Sequence, residues 1–405
     1  MMEKKVLLVL YELTYTGSPK NLLNFVQILK QNNYEIEVWS YNDGPFKEEL
    51  IKKDIDTRII EEIDVERGLY RKQIRSYSFI FVYTIFCIDF ALKCQSLCQT
   101  YLYIMEGHNL TELCKTCSID EKKISKVENI VCVSQYARDY LKTRYGIQNV
   151  RIIHNYIDPV PTKINIHKKL RFIVSGTIEP RKGQDIAVNA IKLLPLDIRK
   201  KIELYIVGNA PNWSSEFLKQ LQNNSDTNTY YIQEIKDYDL LYKFYNKMDV
   251  FLVPSRDESC SIVALEGAML KKALVVTEHT GAKYLLSDNK KNIITTNDEE
   301  ALAKVMLDYA RHRWKIKKDG IKAYQNYKKM GQIETAEKEF LNTIKEGITM
   351  KKEKKYLCAI LLDYTDCNNN FKKTIQSINN QVLDENDYIM LFVKDEQNVL
   401  DLGII

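Results

Sequence analysis

The sequence predicts an α/β protein built of two doubly wound lobes facing a cleft, with a partial α/β segment at its carboxyl end. Three observations predict it. Short continuous apolar runs alternate with segments of helical spacing, as parallel sheets covered on both faces require. The alternation restarts after a polar stretch that holds Pro159 and Pro161. A chain of 405 residues also exceeds what one ordinary core organises.

The first lobe is expected over residues 1–160. KKVLLVLYEL reads as a buried strand, TGSPKN as a turn, and the next segment as a helix with Leu22, Leu23, Val26 and Leu29 on one face. EIEVWSY, SFIFVYT, TYLYIME and IVCVS continue as strands, and QYARDYLKTRYG as a helix. The second lobe is expected over 161–325. Its strands are RFIVSGT, IELYIVG, TYYIQE, VFLVPS and ALVVTE, with helices such as DIAVNAIKLLP between them. Lysine-rich helical sequence follows from Asp298, and 326–350 reads as a closing helical tail. After MKKEKK, residues 351–405 begin a new strand, loop and helix. About 50 residues cannot bury a self-sufficient core, so this piece is expected to dock on the lobes or to belong to a longer protein.

Composition narrows the class. Apolar residues are 45% and charged residues 28%, the balance of a globular protein. The formal charge of +5 suits an anionic small molecule or membrane face and argues against a dedicated nucleic-acid binder. The opening apolar run ends at Glu12, too short for a signal peptide, and Phe79–Leu92 carries Asp89 and is too short to span a bilayer. The expectation is a cytoplasmic chain, at most peripheral at the inner face of the membrane. RGLYRKQIR, from Arg67 to Arg75, reads either as a basic surface helix on an anionic leaflet or as a solvated helix face. Nine cysteines then read as reduced thiols. Cys94, Cys98, Cys114 and Cys117 have a spacing that could hold zinc, but the sequence between the pairs reads as a buried strand, which favours buried thiols.

Candidate chemistry lies at strand ends. In VPSRDESCSIVALEG a strand runs into a loop and a helix, with Glu258 and Glu266 about two helical turns apart. A helix starting near Ser259 would put Glu258 at its mouth and Glu266 deeper on the same face. The amides of Ser259, Cys260, Ser261 and Ile262 would then be free for an anion. In SGTIEPRKGQD, Arg181 and Lys182 follow a strand end, where two cations could grip a diphosphate. Gly17 allows close backbone approach by a ligand, and His108 sits on a loop after the TYLYIME strand. Each feature alone also fits an ordinary turn or helix end.

Together, in this order and spacing, VCVSQYARDYL, HNYID, FIVSGTIEPRKGQDIAVNAI, LYIVGNAP and DVFLVPSRDESCSIVALEGAMLKKALVVTEHTG resemble the retaining, metal-independent glycosyltransferases of family 4. That resemblance covers roughly residues 4–345 and implies the GT-B fold, two Rossmann-like lobes with the acceptor on the first and a nucleotide sugar on the second. It implies transfer of a UDP-linked sugar, with retention, to a glycan, lipid-linked glycan or glycoprotein in bacterial surface-glycan synthesis. It needs no metal or other cofactor. Carried over, Glu258, Lys182 and His108 would be catalytic. Glu266 would hold the ribose, and Gly17, Arg181, Ser259, Cys260, Ser261 and Ile262 would surround the donor phosphates. Three positions depart from the family pattern: Thr177 stands where arginine is frequent, Met105–Glu106 where a His-Glu pair is usual, and Lys271–Lys272 where small residues are usual. The first two fit an alternative, a non-catalytic subunit that binds acceptor and stabilises a partner glycosyltransferase. The segment YLCAILLDYTDCNNNFKKTIQSINNQVLDENDYIMLFV resembles the start of a family 2, GT-A glycosyltransferase.

Overall fold

The apolar runs become the central strands of two parallel sheets. The computed structural model describes residues 4–14, 17–162, 167–353, 359–363 and 389–393, with side chains described up to residue 345 except at 17, 18 and 20. The first sheet contains β1 (Lys5–Glu12), β2 (Glu35–Asn42), β3 (Asp56–Ile59), β4 (Phe79–Tyr83), β5 (Thr100–Ile104), β6 (Ile130–Cys132) and β7 (Val150–Ile152). Its order is β3-β2-β1-β4-β5-β6-β7, with Val6 opposite both Ile36 and Phe79. The second sheet contains β8 (Leu170–Ser175), β9 (Ile202–Val207), β10 (Thr229–Ile232), β11 (Val250–Val253), β12 (Ala273–Thr277) and β13 (Ile293–Ile294), in the order β10-β9-β8-β11-β12-β13.

Every residue of β4, β5, β11 and β12 is buried, which is why these strands read as unbroken apolar runs. The edge strand β3 alternates between exposed and half-buried residues. Each sheet reverses its order at its first strand, between β1 and β4 and between β8 and β11. A crevice opens outside the carboxyl ends of the strands at such a switch point.

The helices that position the site are α1 (Gly17–Gln31), α2 (Gln135–Tyr145), α3 (Gln184–Lys192), α4 (Tyr238–Asn246) and α5 (Ile262–Met269). Helix α2 starts on a Ser134 cap, whose hydroxyl accepts from the Ala137 amide, and ends on left-handed Gly146. The second lobe closes with α6 (Glu299–Arg311) and α7 (Trp314–Met330), so the expected break after 325 falls inside a helix. Helix α8 (Ile333–Glu353) then crosses back to the first lobe. There Phe340 is fully buried, its ring 5.3 Å from Phe25 and 5.5 Å from Phe81. The Tyr101 hydroxyl donates to the Thr343 carbonyl at 3.1 Å, and Glu339 receives the His154 amide at 2.9 Å.

The basic segment from Arg67 to Arg75 is not a single helix. Gly68 turns at φ +74°, and only Arg71–Ser76 is helical, with Tyr70 packed on Trp39 at 5.0 Å. Cys94, Cys98 and Cys114 are buried in the first lobe's core, whereas Cys117 is exposed. Among the described residues, no helix is long and apolar enough to cross a membrane. Of the carboxyl segment, β14 (Ala359–Asp363) pairs in parallel with β15 (Ile389–Val393). The loop and helix that carry the family 2 resemblance lie outside the described residues.

Candidate active site between the lobes

Two loops of the second lobe are zipped together at the crevice. The Arg256 amide donates to the Arg181 carbonyl at 2.8 Å, and the Arg256 guanidinium grips Asp185 through two bonds of 2.9 and 2.7 Å. This bidentate pair holds the loop after β11 against the first turn of α3. As a result Lys182 Nζ forms an ion pair with Glu258, Arg181 lies 3.6 Å from the same carboxylate oxygen, and Ser255 Oγ lies 3.5 Å from it. Glu258 is mostly buried, its side chain 12% exposed. Its backbone bridges the next loop, taking a bond from the Gly281 amide at 2.7 Å and donating to the His279 carbonyl at 3.0 Å. Behind the cations, the ends of β8 and β9 come together. A Cβ on Gly208 would lie 1.9 Å from the Gly176 carbonyl oxygen, so only glycine permits this approach.

Helix α5 starts later than its sequence suggests. Ser261 is the N-cap and its hydroxyl accepts from the Ala264 amide at 3.3 Å, so the first-turn amides begin at Ile262. The amides of Ser259 and Cys260 therefore do not belong to the helix. The Ser259 hydroxyl donates across the crevice to the Met105 carbonyl, and its carbonyl accepts from Ser134 Oγ at 2.6 Å. Cys260 is buried, and burial pushes its thiol up to about 12. Glu258 is thus a loop residue and does not share a helix face with Glu266. Glu266 lies within α5, 4% exposed, with the Tyr242 hydroxyl of α4 3.4 Å from its carboxylate. Gly17 opens α1 on the facing lobe, while Tyr15 and Thr16 before it lie outside the described residues.

On the first lobe, the His108 ring stacks on Tyr136 at 4.5 Å and on Tyr140 at 4.4 Å, both of α2. Burial lowers the imidazole's pKa, with the Asp257 carboxylate opposing. Glu106 stands where the family pattern has its glutamate, but its carboxylate turns to the backbone, accepting from Met105 at 2.9 Å and Ile85 at 3.4 Å. Burial raises its pKa. A cavity of about 600 Å³ lies beside this stack, lined by His108, Tyr136, Tyr140 and Arg144 from one lobe and His279 and Lys283 from the other. Sequence reasoning did not reach Asp257, Ser134, Tyr136 or Tyr242. Their partners lie far along the chain or on a neighbouring helix, and no local spacing signals those contacts.

The chain is similar to known proteins in part of its sequence and in its fold. Residues 159–328 match the family described as glycosyl transferases group 1. An uncharacterized glycosyltransferase of Methanocaldococcus jannaschii is 24% identical over 177 residues, which span 41% of this chain and 45% of that protein. The chain therefore matches less than half the length of that curated relative. Among solved structures, Anabaena HepE in complex with UDP and glucose superposes with a TM-score of 0.70 at 15% identity, covering 85% of this chain and 100% of that one. A glycosyltransferase from Rickettsia africae gives 0.69 at 16% identity, over 85% of this chain and 99% of its own. Sucrose-phosphate synthase from Thermosynechococcus elongatus gives 0.65 at 15%, over 86% of this chain and 100% of its own. The architecture is that of the two-lobed GT-B glycosyltransferases. Its second lobe contains the residues that match the group 1 glycosyl transferases.

Proposed function

We propose that the chain transfers a sugar from a UDP-linked donor to a glycan, lipid-linked glycan or glycoprotein, with retained configuration, in the synthesis of a bacterial surface glycan. The observation that carries this reading is the Lys182–Glu258–Arg181 cluster at the crevice. In this reaction the bond from the anomeric carbon to the diphosphate breaks and a bond to the acceptor oxygen forms. Lys182 and Arg181 would neutralise the diphosphate as it leaves, a task for which other transferases employ a metal ion. Glu258, released from Lys182 as the cation turns to phosphate, would accept hydrogen bonds from the donor sugar. Ser261 and the first-turn amides of Ile262 and Val263 present the positive end of α5 to the phosphates. Glu266 would hold the ribose hydroxyls, with Tyr242 orienting its carboxylate. The UDP complex of the fold relative HepE supports the choice of nucleotide.

The cavity between the lobes suits the acceptor. Aromatic rings and side chains of both charges line it, a combination that recognises sugar rings and hydroxyls. Retention and independence from metal rest on the family resemblance and on the cation pair. The test is a screen of nucleotide sugars for donor hydrolysis by the wild-type chain, Glu258→Ala and Lys182→Ala. Hydrolysis of a UDP-sugar that both variants lose is the expected result. Equal turnover by all three proteins would show that the chemistry lies elsewhere. Absence of both UDP binding and hydrolysis would instead favour the non-catalytic subunit, the reading to which Met105 and Thr177 point.

A further inference from the structure

We infer that Asp257 is a positioning residue that couples the donor site on the second lobe to the His108 loop on the first. The inference rests on the donor-site reading above and adds to it a residue to which that reading gives no role. Asp257 precedes Glu258, yet its side chain turns to the other lobe. Its carboxylate accepts from the His108 amide at 3.1 Å, the Asn109 amide at 2.9 Å and the Tyr136 hydroxyl at 2.9 Å. Its carbonyl accepts from the Arg181 guanidinium at 3.1 Å. One residue therefore touches a cation assigned to the leaving diphosphate and the loop that bears the candidate catalytic histidine.

The loop is shaped to receive it. A Cβ on Gly107 would lie 2.6 Å from Asp257 Oδ1, so the close approach depends on glycine at that position. A carboxylate that accepts three donors is strongly preferred over an amide, whose NH₂ group would face N–H donors. The Tyr136 hydroxyl also ties the carboxylate to the ring on which His108 stacks. Asp257 thereby sets the loop's backbone directly and the imidazole's orientation through Tyr136. When Arg181 moves to meet a diphosphate, the Asp257 backbone moves with it and the displacement reaches His108.

The experiment compares the full chain with Asp257→Asn and Gly107→Ala, which disturb the same contact from opposite sides, and with the double variant. Hydrogen exchange of the 105–109 segment is followed without ligand and with UDP. The expected result is about tenfold faster exchange in either variant, with UDP protection of this segment seen only in the wild type. In donor turnover, kcat falls about tenfold or more while the donor KM stays within about threefold, and the double variant is no worse than the poorer single one. Wild-type exchange of 105–109 in Asp257→Asn, or fully additive losses in the double variant, would overturn the inference. If UDP fails to bind the wild-type chain by calorimetry, the donor-site reading fails. The ligand-free exchange of Asp257→Asn still reports on the contact between the lobes.

Discussion

Lys182 and Glu258, 76 positions apart, are ion-paired at the mouth of the crevice, so the free protein occupies each group with the other. On the proposed reading, a diphosphate must compete with Glu258 for the ammonium. Glu258→Gln removes this competition and should bind UDP alone at least about fivefold more tightly, since even solvent-exposed pairs are worth up to about 1 kcal/mol. The same variant should lose donor turnover. Calorimetry with UDP and a hydrolysis assay read the two opposite effects, and weaker UDP binding would contradict the competition.

On the proposed reading, Lys182→Ala removes a cation from the place where negative charge develops as the diphosphate departs. Turnover of the donor should fall about 10²- to 10³-fold, as for loss of one preorganised electrostatic partner. Single-turnover kinetics at saturating donor isolates this step from binding, and a loss confined to KM would exclude the role.

Arg181, Lys182 and Glu258 were legible in the sequence because each stands in a loop that follows a strand end, where a local motif shows. The edges of the fold were not. Strands β3, β7 and β13 have 4, 3 and 2 residues and lack a buried apolar run, so nothing distinguishes them from loops. The start of α5 was misplaced because Ser259 and Ser261 are both competent caps. Tertiary structure decides between them by taking the Ser259 hydroxyl to Met105. Asp257 was invisible for a related reason. Its amide partners lie 149 and 148 residues away, and no periodicity reports a contact between lobes.

His108 provides a test in pH. Burial lowers its folded pKa below the usual 6.5, so the unfolded chain takes up the proton first as pH falls. Its contribution to stability is complete above pH 6.5 and is lost as the pH drops from there through the folded value. The acid limb of kcat/KM should lie below 6.5 and should vanish in His108→Asn. Imidazole titration by NMR gives the pKa directly, and a value above 6.5 would refute the assignment.

Lys272 is buried with Nζ on the Asn246 carbonyl at 2.7 Å, and burial pushes its ammonium down to about 8, with Asp249 opposing. The unfolded chain binds more protons between about pH 8 and the ordinary lysine value of 10.5, so this group makes stability rise with pH across that window. Lys272→Met should melt higher than wild type at pH 7. The gain is on the order of 2 kcal/mol, the relief of a depressed lysine less a lost hydrogen bond. The gap should nearly close at pH 9.5, where the unfolded lysine has itself lost part of its protonation advantage. Thermal melts at the two pH values check it, and a gap independent of pH would contradict the cause.

Phe340→Ala should destabilise the chain by about 3–5 kcal/mol, because the ring fills a fully buried site among Phe25, Phe79 and Phe81. Chemical denaturation followed separately in each lobe should show the first lobe weakened more than the second.

The return of α8 means that the backbone passes between the lobes twice, once after β7 and once between α7 and α8. The two passages are fastened together: the Ile157 amide donates to the Gly331 carbonyl at 3.2 Å, and the Tyr327 hydroxyl donates to the Ile157 carbonyl at 2.8 Å. Two bodies joined at a single point can tumble freely about it, but two bodies joined by a laced pair of strands swing like a door on its pins. The crevice can then open and shut along one arc, and each closing brings the same side chains face to face.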